Sequence, residues 1–176
     1  MAQVGPSPLT LLLPVKPGKY EELKIAYAIA LPFLEHSIPE VGTIHYMRTL
    51  FLDRSSPNLQ VGKHPNPDTI VLAVMTEYDG EFGAYVGQFA QKLAFFFDSL
   101  LPFIVGSEVL GNPPDVKKNP QGLIDFLAAN DASQANKPPL WCAYPYTVQQ
   151  ILHAKVPPAT DWPSSGSTAS TDAANV

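Results

Sequence analysis

The sequence predicts an α+β fold: one antiparallel sheet with two main helices on one face, in the order β-α-β-β-α-β, followed by extra C-terminal helices. Three observations carry it. Four short runs rich in Leu, Val, Ile, Thr and Tyr read as strands. Two longer stretches between them repeat apolar residues at helical spacing. The middle two strands are joined by a polar, proline-rich loop with no helical period, which makes them a hairpin.

Leu9 to Val15 is the first strand, closed by Pro14, Pro17 and Gly18. From Lys19 to His36, Leu23, Ala26, Tyr27, Ala30 and Leu34 form one stripe of a helix, with Glu21, Glu22 and Lys24 off it; Pro32 should kink or shorten this helix. Gly42 to Asp53 and Thr69 to Gly80 are the second and third strands, with Asp79 placed to cap the helix that follows. That helix carries Phe82, Tyr85, Val86, Phe89, Leu93, Phe96, Phe97, Leu100 and Ile104. A loop rich in Asn and Pro leads to a short helix, Gly122 to Ala129. Leu140 to Tyr144 reads as a fourth strand and Thr147 to Ala154 as a last helix. A single domain over residues 1–156 and a low-complexity tail over 157–176 complete the expectation.

Charged residues make up 15% of the chain against 45% hydrophobic ones, below the usual charged share of about 25%, so apolar surface should be left over for a second subunit. The net charge of −5 and the scatter of Lys and Arg argue against a nucleic-acid partner. A lone cysteine, Cys142, excludes an intrachain disulfide. The apolar start lacks a basic n-region and is broken by Pro14, so a signal peptide is not expected. The greasy run from Leu93 to Val105 falls short of the roughly 20 residues of a membrane span. A cytoplasmic protein without a membrane partner is the resulting expectation.

The third strand offers Ile70, Leu72 and Val74 on one side and Val71, Ala73 and Met75 on the other, so both sheet faces need cover. A βαββαβ unit of this kind is ferredoxin-like. With a second apolar sheet face it resembles the dimeric α+β barrel superfamily, in which two such sheets pack face to face around pockets. The segments HYMRTLFLD, TEYDG and WCAYPYTVQQI also resemble a short bacterial domain of unknown function that carries similar His-x-x-Arg, Tyr-Asp-Gly and Ala-Tyr-Pro segments. The superfamily resemblance implies a homodimer. It leaves the chemistry open, since the superfamily holds cofactor-free monooxygenases, isomerases, haem enzymes and non-catalytic ligand binders. The dye-decolorising peroxidases carry Gly-x-x-Asp-Gly where this chain has Thr76-Glu77-Tyr78-Asp79-Gly80, which speaks against a haem peroxidase; no cofactor is expected.

If the hairpin pairs symmetrically about its loop, His45 faces Glu77, Met47 faces Met75, Thr49 faces Ala73 and Phe51 faces Val71, all on the side away from the helices. A carboxylate beside an imidazole holds its tautomer and suits a general base. His45 and Glu77 are thus the catalytic candidates, although a buried histidine satisfied by an acid weighs more. Arg48 should point to the opposite side and pair with Glu21, Glu22 or Glu35; a joint site with His45 would need a β-bulge. Met47, Met75, Arg48, Trp141 and Tyr144 are the candidates for binding a planar or hydrophobic ligand. No cluster has metal-ligand spacing, and no phosphate loop or nucleophile elbow is present. The sequence does not decide whether the chain is an enzyme. The missing catalytic signature favours a small module for hydrophobic-ligand binding or assembly over a monooxygenase-like or isomerase-like enzyme.

Overall fold

Apolar runs build the sheet in the computed structural model, which describes residues 6–133 and 146–153. β1 (Ser7–Pro14) turns Leu9, Leu11 and Leu13 inward while Leu12 stays exposed. β1 and β2 (Ile44–Asp53) both pair antiparallel with β3 (Ile70–Tyr78), giving the order β1-β3-β2. The expected fourth strand, with Trp141, Cys142 and Tyr144, lies outside the described residues, as does the tail.

The helices cover one side of this sheet. α1 (Tyr20–Val41) joins β1 to β2, and α2 (Phe82–Lys92) and α3 (Ala94–Leu100) follow β3. α4 (Pro120–Ala129) opens with Pro120 in its first turn, and its cap residue Asn119 accepts a 3.0 Å hydrogen bond from the Gly122 N–H. α5 (Val148–His153) is the last described element. Leu9, Leu11, Ile70, Leu72, Leu23, Val86, Phe89 and Leu123 meet in one core. Each such side chain contributes roughly 1.5–3 kcal/mol on burial, more than the ~1 kcal/mol of an ordinary hydrogen bond, so packing sets how the helices sit. Two tyrosines run through this core. The Tyr78 and Tyr85 rings stack at 3.8 Å and 5°, and the Tyr85 hydroxyl donates to Thr76 Oγ1 at 2.8 Å. Burial pushes both phenols up from their ordinary range.

Three helical expectations need correcting. α1 runs through Pro32 and on to Val41. The Ala28 carbonyl that Pro32 leaves without its helical donor belongs to an exposed residue, where water can serve it. The long helix after β3 is two helices, because Leu93 leaves helical geometry at φ −111° and ψ 17°. Asp79 caps neither of them: Glu81 holds the N-cap position of α2, without a side-chain hydrogen bond.

α1 also carries an apolar ridge on its outer side. Ile25, Ile29 and Phe33 are exposed there, and the Phe33 ring rests 4.5 Å from that of Phe95 on α3. No described helix is long and apolar enough to cross a membrane.

The β2–β3 loop is organised around Asp53. Its carboxylate accepts from the Ser55 N–H at 2.9 Å, the Ser55 hydroxyl at 2.7 Å, the Thr69 hydroxyl at 2.6 Å and the Asn66 N–H at 3.3 Å. The Thr69 and Ser55 hydroxyls do most to hold its pKa down, from 3.8 to about 2. A depressed carboxylate adds stability that is complete above its unfolded pKa and fades as pH falls through the folded one. Asp53→Asn should therefore lower Tm at pH 7. The gap from the parent should stay constant down to about pH 4 and close between pH 4 and pH 2, as read by thermal melts followed by circular dichroism.

Candidate functional site

The hairpin register decides which side chains share a face. Ile44 pairs with Tyr78, as a symmetric hairpin requires, but Tyr46 pairs with Glu77, so β2 holds one extra residue, His45, at a β-bulge. Beyond it every pair is displaced by one: Met47 with Thr76, Arg48 with Met75, Thr49 with Val74, Leu50 with Ala73 and Phe51 with Leu72. A one-residue displacement reverses the faces of a strand. Met47, Thr49 and Phe51 thus turn to the helices, where the Thr49 hydroxyl meets the Tyr27 hydroxyl and the Phe51 ring packs edge-on to Tyr20 and Tyr27. The assignments for β3 hold: Ile70, Leu72, Val74, Thr76 and Tyr78 face the helices. Those for β2 are inverted from Tyr46 onward, while Ile44 stays on the helix side as expected.

The other face is a grid of three strands. Its rows are Pro8, Glu77 and Tyr46; Thr10, Met75 and Arg48; Leu12, Ala73 and Leu50; and Pro14, Val71 and Leu52. It is polar at one end and apolar at the other. A cavity of about 500 Å³ opens at the polar end, lined by Pro8, Thr10, Tyr46, Arg48, Met75 and Glu77, with Leu9, Met47 and Thr76 in its floor. The size suits a small ligand, for which sites of roughly 300–1,000 Å³ are usual.

Of the expected ligand residues, Arg48, Met75 and Met47 line this cavity, and so does Glu77. Arg48 does not pair with the α1 acids: Glu21 holds Lys24 and Glu22 holds Lys19, each at 2.8 Å. Arg48 is instead exposed on the grid, diagonal to Glu77, and among the described residues neither side chain has an ion-pair partner. Trp141 and Tyr144 lie outside the described residues. Tyr46 and Thr10 were not anticipated; the unbroken register hid Tyr46 against the helices.

The pairing of His45 with Glu77 is corrected. The His45 side chain is only 2% exposed, and its Nε2 lies 2.9 Å from Asp79 Oδ1. The other Asp79 oxygen accepts the Val148 N–H at 2.6 Å, so one carboxylate fastens both the bulge and the first turn of α5. Gln149 adds a 2.8 Å bond from Nε2 to the Gly42 carbonyl. Gly42 ends α1 at φ +70°, a left-handed conformation that favours glycine, and a Cβ there would come within 2.9 Å of that same Nε2 and displace it. Thr147 and Gln150 close a capping box, with Thr147 Oγ1 accepting from the Gln150 N–H and Gln150 Oε1 from the Thr147 N–H. That Thr-x-x-Gln pattern was the one sequence signal of an anchored α5.

A second hollow, about 590 Å³, lies between Val105, Val109 and α4. It is the more open of the two. Its one ionised side chain, Asp125, already accepts from Gln121 Nε2 at 2.8 Å, so the sheet cavity is the better candidate.

Fold and site together define an α+β chain with a cavity on a sheet face, edged by a guanidinium and a carboxylate. No protein family matches the chain, and comparisons with curated proteins and with solved structures find no match either.

Asp79→Ala should detach α5, whose described residues are none of them buried. The Val148 and Ile151 amides should then exchange with solvent at the rate of an unstructured chain. Global stability should fall by about 1–3 kcal/mol, the usual cost of stranding buried hydrogen-bond partners. Unchanged exchange in α5 would show that Asp79 does not hold it.

Proposed function

We propose that this chain is a non-enzymatic binding module whose sheet face takes a small amphipathic molecule bearing an anionic group. The carrying observation is the cavity of about 500 Å³ with Arg48 at its edge. A guanidinium without an ion-pair partner among the described residues is a ready donor to a carboxylate, sulfonate or phosphate. Met75 is a polarisable, adaptable contact for an apolar body, and Leu12 and Leu50, on either side of the buried Ala73, continue the apolar surface beyond it. Glu77, diagonal to Arg48, disfavours a second anionic group at that end. The order β1-β3-β2 with helices on one side supports reading the fold as ferredoxin-like. An acid–base enzyme built on His45 and Glu77 is disfavoured, because the imidazole is enclosed and bound to Asp79.

Titration with 8-anilinonaphthalene-1-sulfonate, an aromatic body carrying one sulfonate, tests this reading by fluorescence. Saturable 1:1 binding is expected. Arg48→Ala should weaken it about tenfold or more at unchanged Tm, the scale of a lost hydrogen bond to a charged group. Equal affinity in the parent and in Arg48→Ala would overturn the assignment, as would no saturable binding to the parent.

A further inference from the structure

We infer that β2 is a self-pairing edge: two copies of this chain join their β2 strands antiparallel about Thr49 into one continuous sheet. The two edges of the sheet are treated differently. On the β1 side, the Leu12 N–H donates to the Asn130 carbonyl at 3.2 Å, the Thr10 N–H to Asp131 Oδ1 at 3.0 Å and the Ser133 hydroxyl to the Pro8 carbonyl at 3.1 Å. The segment after α4 thus covers that edge. Among the described residues, nothing covers β2 in this way between Met47 and Phe51.

The groups left over on β2 follow from the ladder. The Arg54 N–H donates to the Thr69 carbonyl at 3.1 Å, which makes that pair a hydrogen-bonded one. Antiparallel ladders alternate, so Leu52, Leu50, Arg48 and Tyr46 direct their backbone groups to β3, and Asp53, Phe51, Thr49 and Met47 direct theirs outward. Asp53 agrees: its N–H donates to the Leu59 carbonyl at 2.9 Å. The loop therefore closes one end of the edge, and the bulge at His45 bounds the other. Between them the backbone N–H and C=O groups of Met47, Thr49 and Phe51 find no hydrogen-bond partner among the described residues. Edges are usually blunted by Pro, by charges (Lys above all) or by a bulge in mid-strand; residues 46–52 carry one charge, Arg48, and no Pro, Lys or bulge.

This window is complementary to itself. With Thr49 opposite Thr49 of the second copy, Met47 meets Phe51 in both directions, and every free backbone donor and acceptor is used. Moving the centre to Leu50 would demand the Asp53 amide, which Leu59 already holds. Moving it to Arg48 would set the two guanidinium groups opposite each other, a repulsive pair. The Thr49 register instead puts Arg48 opposite Leu50 of the second copy, on the cavity face. A second copy joined this way leaves both cavities open, whereas face-to-face packing of the sheets would close them.

Residue 50 therefore reports on the arrangement. Analytical ultracentrifugation of the full chain, from low micromolar to millimolar concentration, should show a monomer–dimer equilibrium. Leu50→Glu places a carboxylate opposite each Arg48 and should tighten the dimer about tenfold. Leu50→Lys places like charges there and should weaken it about tenfold. Amide exchange at Met47, Thr49 and Phe51 should slow with rising concentration. If both variants weaken the dimer, the sheets meet face to face and the inference fails. It fails equally if neither variant changes the equilibrium or if the parent is monomeric throughout. The sulfonate titration is read separately, since loss of either result leaves the other standing.

Discussion

The extra residue in β2 is the constraint on which the other features depend. Until His45 the strand keeps the register that a symmetric hairpin would give; after it, each side chain of β2 lies on the opposite face from the one that register assigns. The displacement puts Thr49 and Phe51 against the α1 tyrosines, where their packing contributes to the core, and turns Tyr46 and Arg48 to the cavity. It also fixes which backbone groups point off the edge. Core, cavity and edge are three consequences of one inserted residue.

A bulge leaves a gap in the ladder, and the structure fills the one at His45 with a polar clasp. Asp79 begins the turn out of β3, its N–H bonded to the Thr43 carbonyl at 2.9 Å, and so stands beside the bulge. Its carboxylate then holds the imidazole and the first amide of α5 together. The enclosure that makes this clasp durable also withholds His45 from any substrate. The histidine that the sequence sets beside Glu77 as an acid–base candidate is bound to Asp79 instead, in a structural tie.

Much of the architecture was legible in the sequence because it rests on periodicity. β1, β2, β3, α4 and α5 fall within a residue or two of their expected limits, and the helix-facing side of β3 was read correctly from Ile70, Leu72 and Val74. The break at Leu93 was not legible, since the apolar stripe runs through it without interruption. The site was legible only in part. Arg48, Met75 and Glu77 were chosen for their chemistry and do line a common cavity, but their neighbours were assigned through a register that one residue overturns. Nothing in IHYMRTLFLD marks the bulge: it contains no glycine, and His45 has the same local pattern as any strand residue. The tie from Asp79 to Val148 spans 69 positions, beyond the reach of local pattern.

The register itself is open to direct measurement. In an antiparallel sheet the α-protons of non-hydrogen-bonded pairs lie closest across the strands. Nuclear Overhauser contacts should therefore join the α-protons of Met47 with Thr76, Thr49 with Val74, and Phe51 with Leu72. Contacts joining Tyr46 with Thr76, Arg48 with Val74, and Leu50 with Leu72 would mean that the strand carries no bulge at His45. The cavity, the clasp and the self-complementary edge would then lose their common basis.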